Sequence, residues 1–387
     1  MFPIFWLLIL GYPSGGSDLL SEETVRYFIV PLLFLLASCS EKTEPSNKDE
    51  FEQIVSSYML KHDYVGLSIA AIKDGDVVFD RAYGYADQNR KEKFSAKKVI
   101  SLGSNTKTLT ASAILLLQER GLLNLSDPLE KHLPFKLQHS EKITLQEMLC
   151  HSSDLSDVFG VGRFEDYVWQ KAKSQKEFID KLNLDSHEPM AGERYRYNNT
   201  AYFLLGLVVE HVSHQSLGDF FREYIFANMP EANLYYLGDS FYSPILAPSF
   251  EKNGFKANLY ESPVEYRVVG GAGALAGDLV SYLRMFKSLV SGEILSRDSS
   301  AMLQSVCRFK DGSEVINEKK QNIGLGIEVF KINGETVYSR GGALNGYVSA
   351  VYYFPSRKLT IGVTGNTWAP LAPMLESLFE TNWHNEL

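Results

Sequence analysis

The stretch "SLGSNTKTLTASAILLLQERG", residues 101–121, sets Ser104 and Lys107 three positions apart at the mouth of an apolar run. Two readings compete for it. Serine is a favoured helix N-cap, so Ser104 could do no more than start a helix. Residues at i and i+3 also share a helical face, which lets the Lys107 ammonium reach the Ser104 hydroxyl. A serine at a helix start lies among free backbone N–H donors, where the helix dipole favours negative charge. Gly103 just before it permits a tight entry. The spacing alone does not decide, because Ser95-Ala96-Lys97-Lys98 repeats it. That second copy runs into the strand-like "VISL" and offers no such geometry.

Outward from this stretch, Leu109–Arg120 reads as a helix stopped by Gly121. Upstream, "VGLSIAAI" (65–72) and "DVVFDRA" (76–82) read as strands joined across Asp74-Gly75, a strong hairpin signal. Near the C-terminus "GLGIEVFK", "ETVYSR", "VSAVYYF" and "LTIGVT" form a second set of strands, separated by Asn333-Gly334, Asn345-Gly346 and Pro355-Ser356. Between the two sets the pattern is helical. Thr144-Leu145-Gln146-Glu147 is a capping-box signature, and "YFLLGLVVEHV" and "LVSYLRMFKSLV" have the length and apolar content of buried helices. The implied fold class is α/β (α+β): an antiparallel sheet built from both chain ends, flanked by helices, with a mostly helical insertion. The expected boundaries are a sheet part at about 51–103 and 265–387 and a helical part at about 104–264.

The 387 residues, 45% of them apolar and 12% aromatic, suffice for a sizeable core. A formal charge of −9 disfavours nucleic acid or an anionic membrane surface as partner. The three cysteines, Cys39, Cys150 and Cys307, have no metal-ligand spacing and no disulfide framework, so Cys150 and Cys307 are expected to pack as small hydrophobes. Cys39 ends "YFIVPLLFLLASC" (27–39), an apolar run behind Arg26 that is short for a bilayer span, which needs about 20 residues. Small residues before the cysteine fit a cleaved secretory signal. Leu36-Ala37-Ser38-Cys39 resembles a bacterial lipoprotein signal, which implies lipid attachment at Cys39, a membrane anchor and an exported protein. Residues 1–39 are therefore set apart from the fold, residues 40–50 read as a polar tether, and the folded body is expected from Phe51.

Two further constellations bear on Ser104. Tyr197-Asn198-Asn199 precedes a helical run. A tyrosine with its ordinary pKa of about 10 is a poor base at neutral pH, and holding it as phenolate at pH 7 needs roughly 4 kcal/mol from nearby cations. Lys107 could supply part of that. The carboxamide of Asn199 could orient both the lysine and a substrate carbonyl. A strand is then expected to end at Arg340, a permanent cation shaped to grip a carboxylate in a fork, followed by Gly341-Gly342, which let a ligand or another backbone come close.

Ser104-Asn105-Thr106-Lys107, Tyr197-Asn198-Asn199 and Arg340-Gly341-Gly342, in that order, resemble the three motifs of serine β-lactamase-related hydrolases. The nearer branch is that of class C β-lactamases, DD-peptidases and esterases. "ITLQEMLCHSSDL", "GGAGALAGDLVSYLRMF" and "GALNGYVSAVYYFP" extend the likeness over most of residues 60 to 370. The resemblance implies a β-lactamase/transpeptidase-like fold and an acyl-enzyme on Ser104, with Lys107 keeping the site cationic and Tyr197 acting as general base and then acid. Asn199 and Arg340 would bind substrate. The N–H groups of Ser104 and of Ala343, after Gly342, would form an oxyanion hole, in which one donor is worth about 10²–10³ in rate. No metal or organic cofactor is implied. Two departures stand out: Arg340 where this branch usually carries Lys or His, and Asp154 where relatives commonly carry glycine after His-x-Ser. Aspartate tolerates the left-handed conformation such a turn needs. His151 is expected to buttress structure, and the Gly270–Gly277 run to pack tightly beside the site ahead of Asp278, a helix cap.

The chain has no Gly-x-Ser-x-Gly elbow, no His-Glu-x-x-His and no phosphate-cradling lysine loop. Two function classes therefore compete. One is a serine hydrolase acting on a small-molecule or peptide ester, amide or β-lactam. The other is a catalytically silent lipoprotein that binds a ligand or peptidoglycan. The four groups Ser104, Lys107, Tyr197 and Asn199 favour the first. The aromatic stretch Tyr235, Tyr236, Phe241, Tyr242, Phe250, Phe255, Tyr260 and Tyr266 could wall a pocket or form a local core. Substrate choice and oligomeric state are left open by the sequence.

Overall fold

The computed structural model describes residues 47–387 apart from 88, 90, 158–173, 184–186, 240–244, 251–262, 382 and 386. The signal-like segment with Cys39, and the aromatic residues Phe241, Tyr242, Phe255 and Tyr260, lie outside the described residues. Helix α1 (Asn47–Lys61) takes in residues 47–50, expected as tether; Asp49 and Glu50 sit in its first turn, where the helix dipole favours acids. Strands β1 (Gly66–Lys73) and β2 (Asp76–Gly84) form the expected hairpin over Asp74 (φ 50°) and Gly75 (φ 96°). Positive φ at both central residues lets a two-residue loop follow the strand twist.

Strand β3 (Ile100–Gly103) feeds helix α2 (Thr106–Glu119). There follow α3 (Leu145–Leu149), α4 (Gln175–Leu182), α5 (Asn199–Ser213), α6 (Leu217–Tyr224), β4 (Leu234–Tyr236), α7 (Pro263–Val269), β5 (Leu275–Gly277), α8 (Leu279–Val290) and α9 (Arg297–Gln304). The capping box before α3 is complete: Glu147 N donates to Thr144 Oγ1 at 3.2 Å and Thr144 N donates to Glu147 Oε2 at 2.8 Å. Asp278 caps α8 by accepting from Ser281 N at 2.8 Å. The chain closes with β6 (Asn322–Ile323), β7 (Glu328–Ile332), β8 (Glu335–Leu344), β9 (Tyr347–Phe354), β10 (Leu359–Gly365) and α10 (Ala372–Glu380).

The main sheet runs β2-β1-β10-β9-β8-β7-β6, antiparallel throughout. Strands from the two ends of the chain meet where β1 pairs β10, Leu67 opposite Gly365 through Lys73 opposite Leu359. Alternation then sorts side chains onto two faces. Leu67, Ile69 and Ala71 join Leu359, Ile361 and Val363 under α1 and α10, while Ala70 and Ile72 face the core that holds α2, α5 and α8. Truncating one such fully buried leucine typically costs about 2–5 kcal/mol. A second sheet, β3-β5-β4, lies at the root of α2.

Three expectations are corrected. The strand expected to end at Arg340 runs on to Leu344, because Gly341–Leu344 stay paired with β9. Only Glu328 onward of "GLGIEVFK" is strand. Gly324–Ile327 turns instead, with Gly324 N donating to Ile327 O at 2.9 Å, because Gly326 (φ 75°) must lie against α2, where Thr108 Oγ1 donates to its carbonyl at 2.9 Å. Cys150 and Cys307 do not merely pack as small hydrophobes. They form a disulfide across 157 positions, Cα to Cα 5.9 Å, tying the end of α3 to the segment after α9. Nothing in the spacing of the cysteines reveals that these two segments are neighbours; the fold makes them so.

Candidate active site

Ser104 leaves β3 through Gly103 (φ 52°) and stands in the turn that opens α2. The N-cap residue is Asn105, so the capping reading of Ser104 does not hold; its carbonyl accepts from Lys107 N at 3.1 Å. The turn is pinned on every side. Asn105 Nδ2 donates to Leu102 O at 2.9 Å and to Ser349 Oγ at 2.6 Å, and Asn105 Oδ1 accepts from Tyr282. Thr106 Oγ1 donates to Gly103 O at 2.7 Å and accepts from Leu275 N at 2.9 Å. The serine is therefore carried by rigid neighbours, and its own side chain is left half-buried and reachable.

Lys107 is fully buried. Its ammonium donates to Ser104 Oγ at 3.1 Å, Asn199 Oδ1 at 2.8 Å and Ala272 O at 2.8 Å, engaging all three of its donors. The Ala272 carbonyl comes from the glycine run at 270–277, which packs against the site as expected. Burial lowers the lysine pKa and Arg340 adds to this, against the opposing pull of Tyr197. The competing Ser95-x-x-Lys98 has no such arrangement, since Lys98 pairs with Glu92.

Tyr197 Oη lies 2.8 Å from Ser104 Oγ and accepts from Arg340 Nη2 at 3.0 Å. Burial alone would raise its pKa. The Lys107 and Arg340 charges, with hydrogen bonds from Lys107 and Ser104, outweigh that and hold it below the ordinary 10.0. The phenol is therefore poised to take a proton from the serine hydroxyl. His151 packs its ring 4.5 Å from that of Tyr197 and accepts from Asn198 N at Nδ1, 3.1 Å away. Burial first, then Arg340 and Lys107, keep it neutral. It buttresses, as expected.

The segment 150–157 is bonded along its length to 187–200, which carries Tyr197 and Asn199. Arg196 N donates to His151 O at 2.8 Å, Gly192 N to Ser152 O at 2.8 Å, and Asn198 Nδ2 to Leu155 O at 2.5 Å. Asp154 does adopt the left-handed conformation (φ 53°), and its carboxylate does more than the sequence indicates. It accepts from Arg194 Nε (3.0 Å) and Nη2 (2.8 Å), Met190 N (3.0 Å) and Arg196 Nη1 (3.5 Å), with His187 Nε2 at 3.0 Å. Asp157 accepts from Asn199 Nδ2 at 3.0 Å and so fixes which end of that amide faces Lys107. Neither aspartate's bonding could be read from the sequence, though each lies within a few residues of His151.

Arg340 is 2% exposed and points inward. Its Nε donates to Ser104 O at 3.2 Å, Nη1 to Glu328 Oε1 at 2.8 Å and Nη2 to Tyr197 Oη. It is the second cation beside the phenol, but it is not held out as a free fork for a substrate carboxylate. Glu328, unnoticed in the sequence, is its counterion. On the other side, β7 ends opposite Ser339, so residues 340–344 extend β8 beyond it. A Cβ at Gly342 would meet Asn105 Nδ2 at 2.6 Å, and one at Gly103 would meet Ala343 N at 2.9 Å. The two glycines thus bring the backbone of Ala343 against the turn of Ser104, where two N–H groups can converge on one oxygen.

The sequence matches the beta-lactamase family model over residues 51–377. The chain belongs to the beta-lactamase family. Protein flp of Staphylococcus aureus (strain MW2) is 26% identical over 348 residues, 85% of this chain; the chain spans 65% of that relative's length, less than two thirds. By structure, the octameric penicillin-binding protein homologue from Pyrococcus abyssi superposes with a TM-score of 0.73 at 23% identity, covering 88% of this chain and 78% of that one. The D-amino acid amidase from Ochrobactrum anthropi SV3 gives 0.71 at 18% identity, covering 88% and 99%. At these identities the two solved structures establish the fold, β-lactamase/transpeptidase-like, with its antiparallel sheet and flanking helices. The geometry brings Ser104, Lys107 and Tyr197 together as one cluster.

Proposed function

We propose that this member of the beta-lactamase family is a serine hydrolase that cleaves an ester, amide or β-lactam through an acyl-enzyme on Ser104. Tyr197 takes the Ser104 proton as Oγ bonds to the acyl carbon, and the N–H groups of Ser104 and Ala343 receive the oxyanion. Collapse breaks the bond to the leaving group, which takes that proton from Tyr197. Water, activated by the same phenolate, then releases the acid and restores the serine. Lys107 and Arg340 stabilise the phenolate. The observation that carries this reading is the approach of both Tyr197 Oη (2.8 Å) and Lys107 Nζ (3.1 Å) to Ser104 Oγ. The amidase among the structural neighbours lends support to an amide as one substrate.

A fluorophosphonate probe should label the wild type and Ser95→Ala but not Ser104→Ala. Labelling that persists in Ser104→Ala removes the nucleophile, and failure of several probes on the wild type favours the silent binding protein. We also infer that the protein is exported and lipid-anchored at Cys39. The disulfide supports this, since such bonds belong mainly to oxidising compartments. Metabolic palmitate labelling that Cys39→Ser abolishes is the expected result, and a soluble unlabelled wild type refutes it.

A further inference from the structure

Among the described residues, the network around the serine hydroxyl is balanced in charge. Its two cations, Lys107 and Arg340, are matched by two carboxylates bonded into the same network, Asp157 on Asn199 and Glu328 on Arg340. With Tyr197 protonated these four charges cancel, and with Tyr197 as phenolate they leave one negative charge. Every ammonium proton of Lys107 is engaged, and each guanidinium nitrogen of Arg340 already donates once, three of its five N–H groups, to Ser104 O, Glu328 and Tyr197. A substrate carboxylate seeking Arg340 would have to compete with Glu328 for a guanidinium that is 2% exposed. It would also enter a protein of net charge −9. Removing one partner from a buried charge pair is strongly unfavourable.

We propose that the site selects acyl substrates with no carboxylate beside the scissile bond, neutral esters and amides, and that Glu328, by holding Arg340 inward, enforces that selection. This rests on the hydrolase reading above. An arginine at the head of the third motif would otherwise be the natural anchor for an acidic leaving group. The contacts of this one commit it to the base and to the turn of the nucleophile. Like charges brought together across a partly screened site at the separations of such a cleft alter rates by about tenfold.

The test uses two thioesters that leave the same acyl group on Ser104: hippuryl thioglycolate, whose leaving group bears a carboxylate, and its methyl ester. Deacylation is common to both, so the ratio of their kcat/KM values, followed by loss of thioester absorbance, reports acylation alone. The methyl ester should lead by about tenfold or more, and added salt should speed the acid selectively. Glu328→Gln, which removes one negative charge, should narrow the gap several-fold. Should that variant fail to fold, Asp157→Asn removes a charge from the other side of the network and should narrow the gap likewise. Equal rates, or a lead for the acid, overturn the proposal, as does a ratio that neither folded variant moves. If neither thioester is cleaved, the hydrolase reading falls first and takes the selection with it.

Discussion

Replacing Gly342 by alanine tests the convergence of β8 on the nucleophile turn. The added methyl would sit 2.6 Å from Asn105 Nδ2 and 3.0 Å from Ser349 Oγ, and closer still to the Leu102 carbonyl oxygen. Ordinary contacts of this kind lie at about 3.5–4 Å, so β8 and the turn must part by at least about 1 Å. Asn105 is tied to Leu102, Ser349 and Tyr282, and a backbone oxygen cannot swing aside, so relief by side-chain motion is closed. Overpacking of this kind costs about 1–3 kcal/mol, and the rigid obstacle places this case near the upper end, a fall of about 5 °C in Tm. The same shift withdraws Ala343 N from Ser104. Misplacement by about 1 Å costs about 10²-fold in rate, comparable to losing one oxyanion donor. Gly341→Ala is the control for stability: its Cβ would meet nothing closer than Ser349 O at 3.9 Å, so its Tm should hold or rise. Thermal melts and the acylation burst with p-nitrophenyl acetate read both effects. A Gly342→Ala protein with wild-type Tm and burst rate would refute the close approach of the two strands.

Tyr197→Phe should lower kcat/KM for p-nitrophenyl esters about 10²–10⁴-fold. The wild-type profile should rise with pH through a pKa below 10.0, because the tyrosine is active as its anion, and that rising limb should vanish in the variant. The double variant Cys150→Ser/Cys307→Ser should lose about 3–5 kcal/mol in a denaturant titration, since the bond closes a loop of 157 positions; an unchanged midpoint would mean the cysteines are not joined. Asp154→Asn keeps the left-handed turn but loses the charge that Arg194 grips. Burial pushes this carboxyl up, yet the hydrogen bond from Arg194, with Met190 N and His187, holds it below its ordinary value. A lowered pKa contributes stability above the unfolded value, about 3.9, and that stability is lost as pH falls through the folded one. The Tm gap between wild type and variant should therefore be present at pH 7 and close below about pH 4, whereas a gap independent of pH would assign the aspartate a purely steric role.

What the sequence reveals here is what is local. Ser104 and Lys107 are related by one helical turn, the Asp74-Gly75 hairpin by two residues, and the Thr144 box by three, so each could be read from spacing alone. Tyr197 and Asn199 were readable by chemistry and motif order. The partners that orient them were not. Glu328 meets Arg340 only because β7 and β8 pair in one register, and Asp157 meets Asn199 only because two segments zip together. The inward turn of Arg340 has the same origin, since residue type announces a cation but not what it faces. "GLGIEVFK" reads as strand by composition, yet its first half bends because a helix elsewhere in the chain needs Gly326 beside it.

The closure of the sheet between β1 and β10 has a consequence for how the chain comes to life. The wall facing the serine is made of residues 340–344, and it is held in place by β9 and β10 pairing back onto β1. A nascent chain that has only reached α2 carries its nucleophile with no base, one of its two oxyanion donors and no counterions. Reactivity is thus deferred until the ribosome has delivered residue 365 or so, and a half-made molecule is harmless.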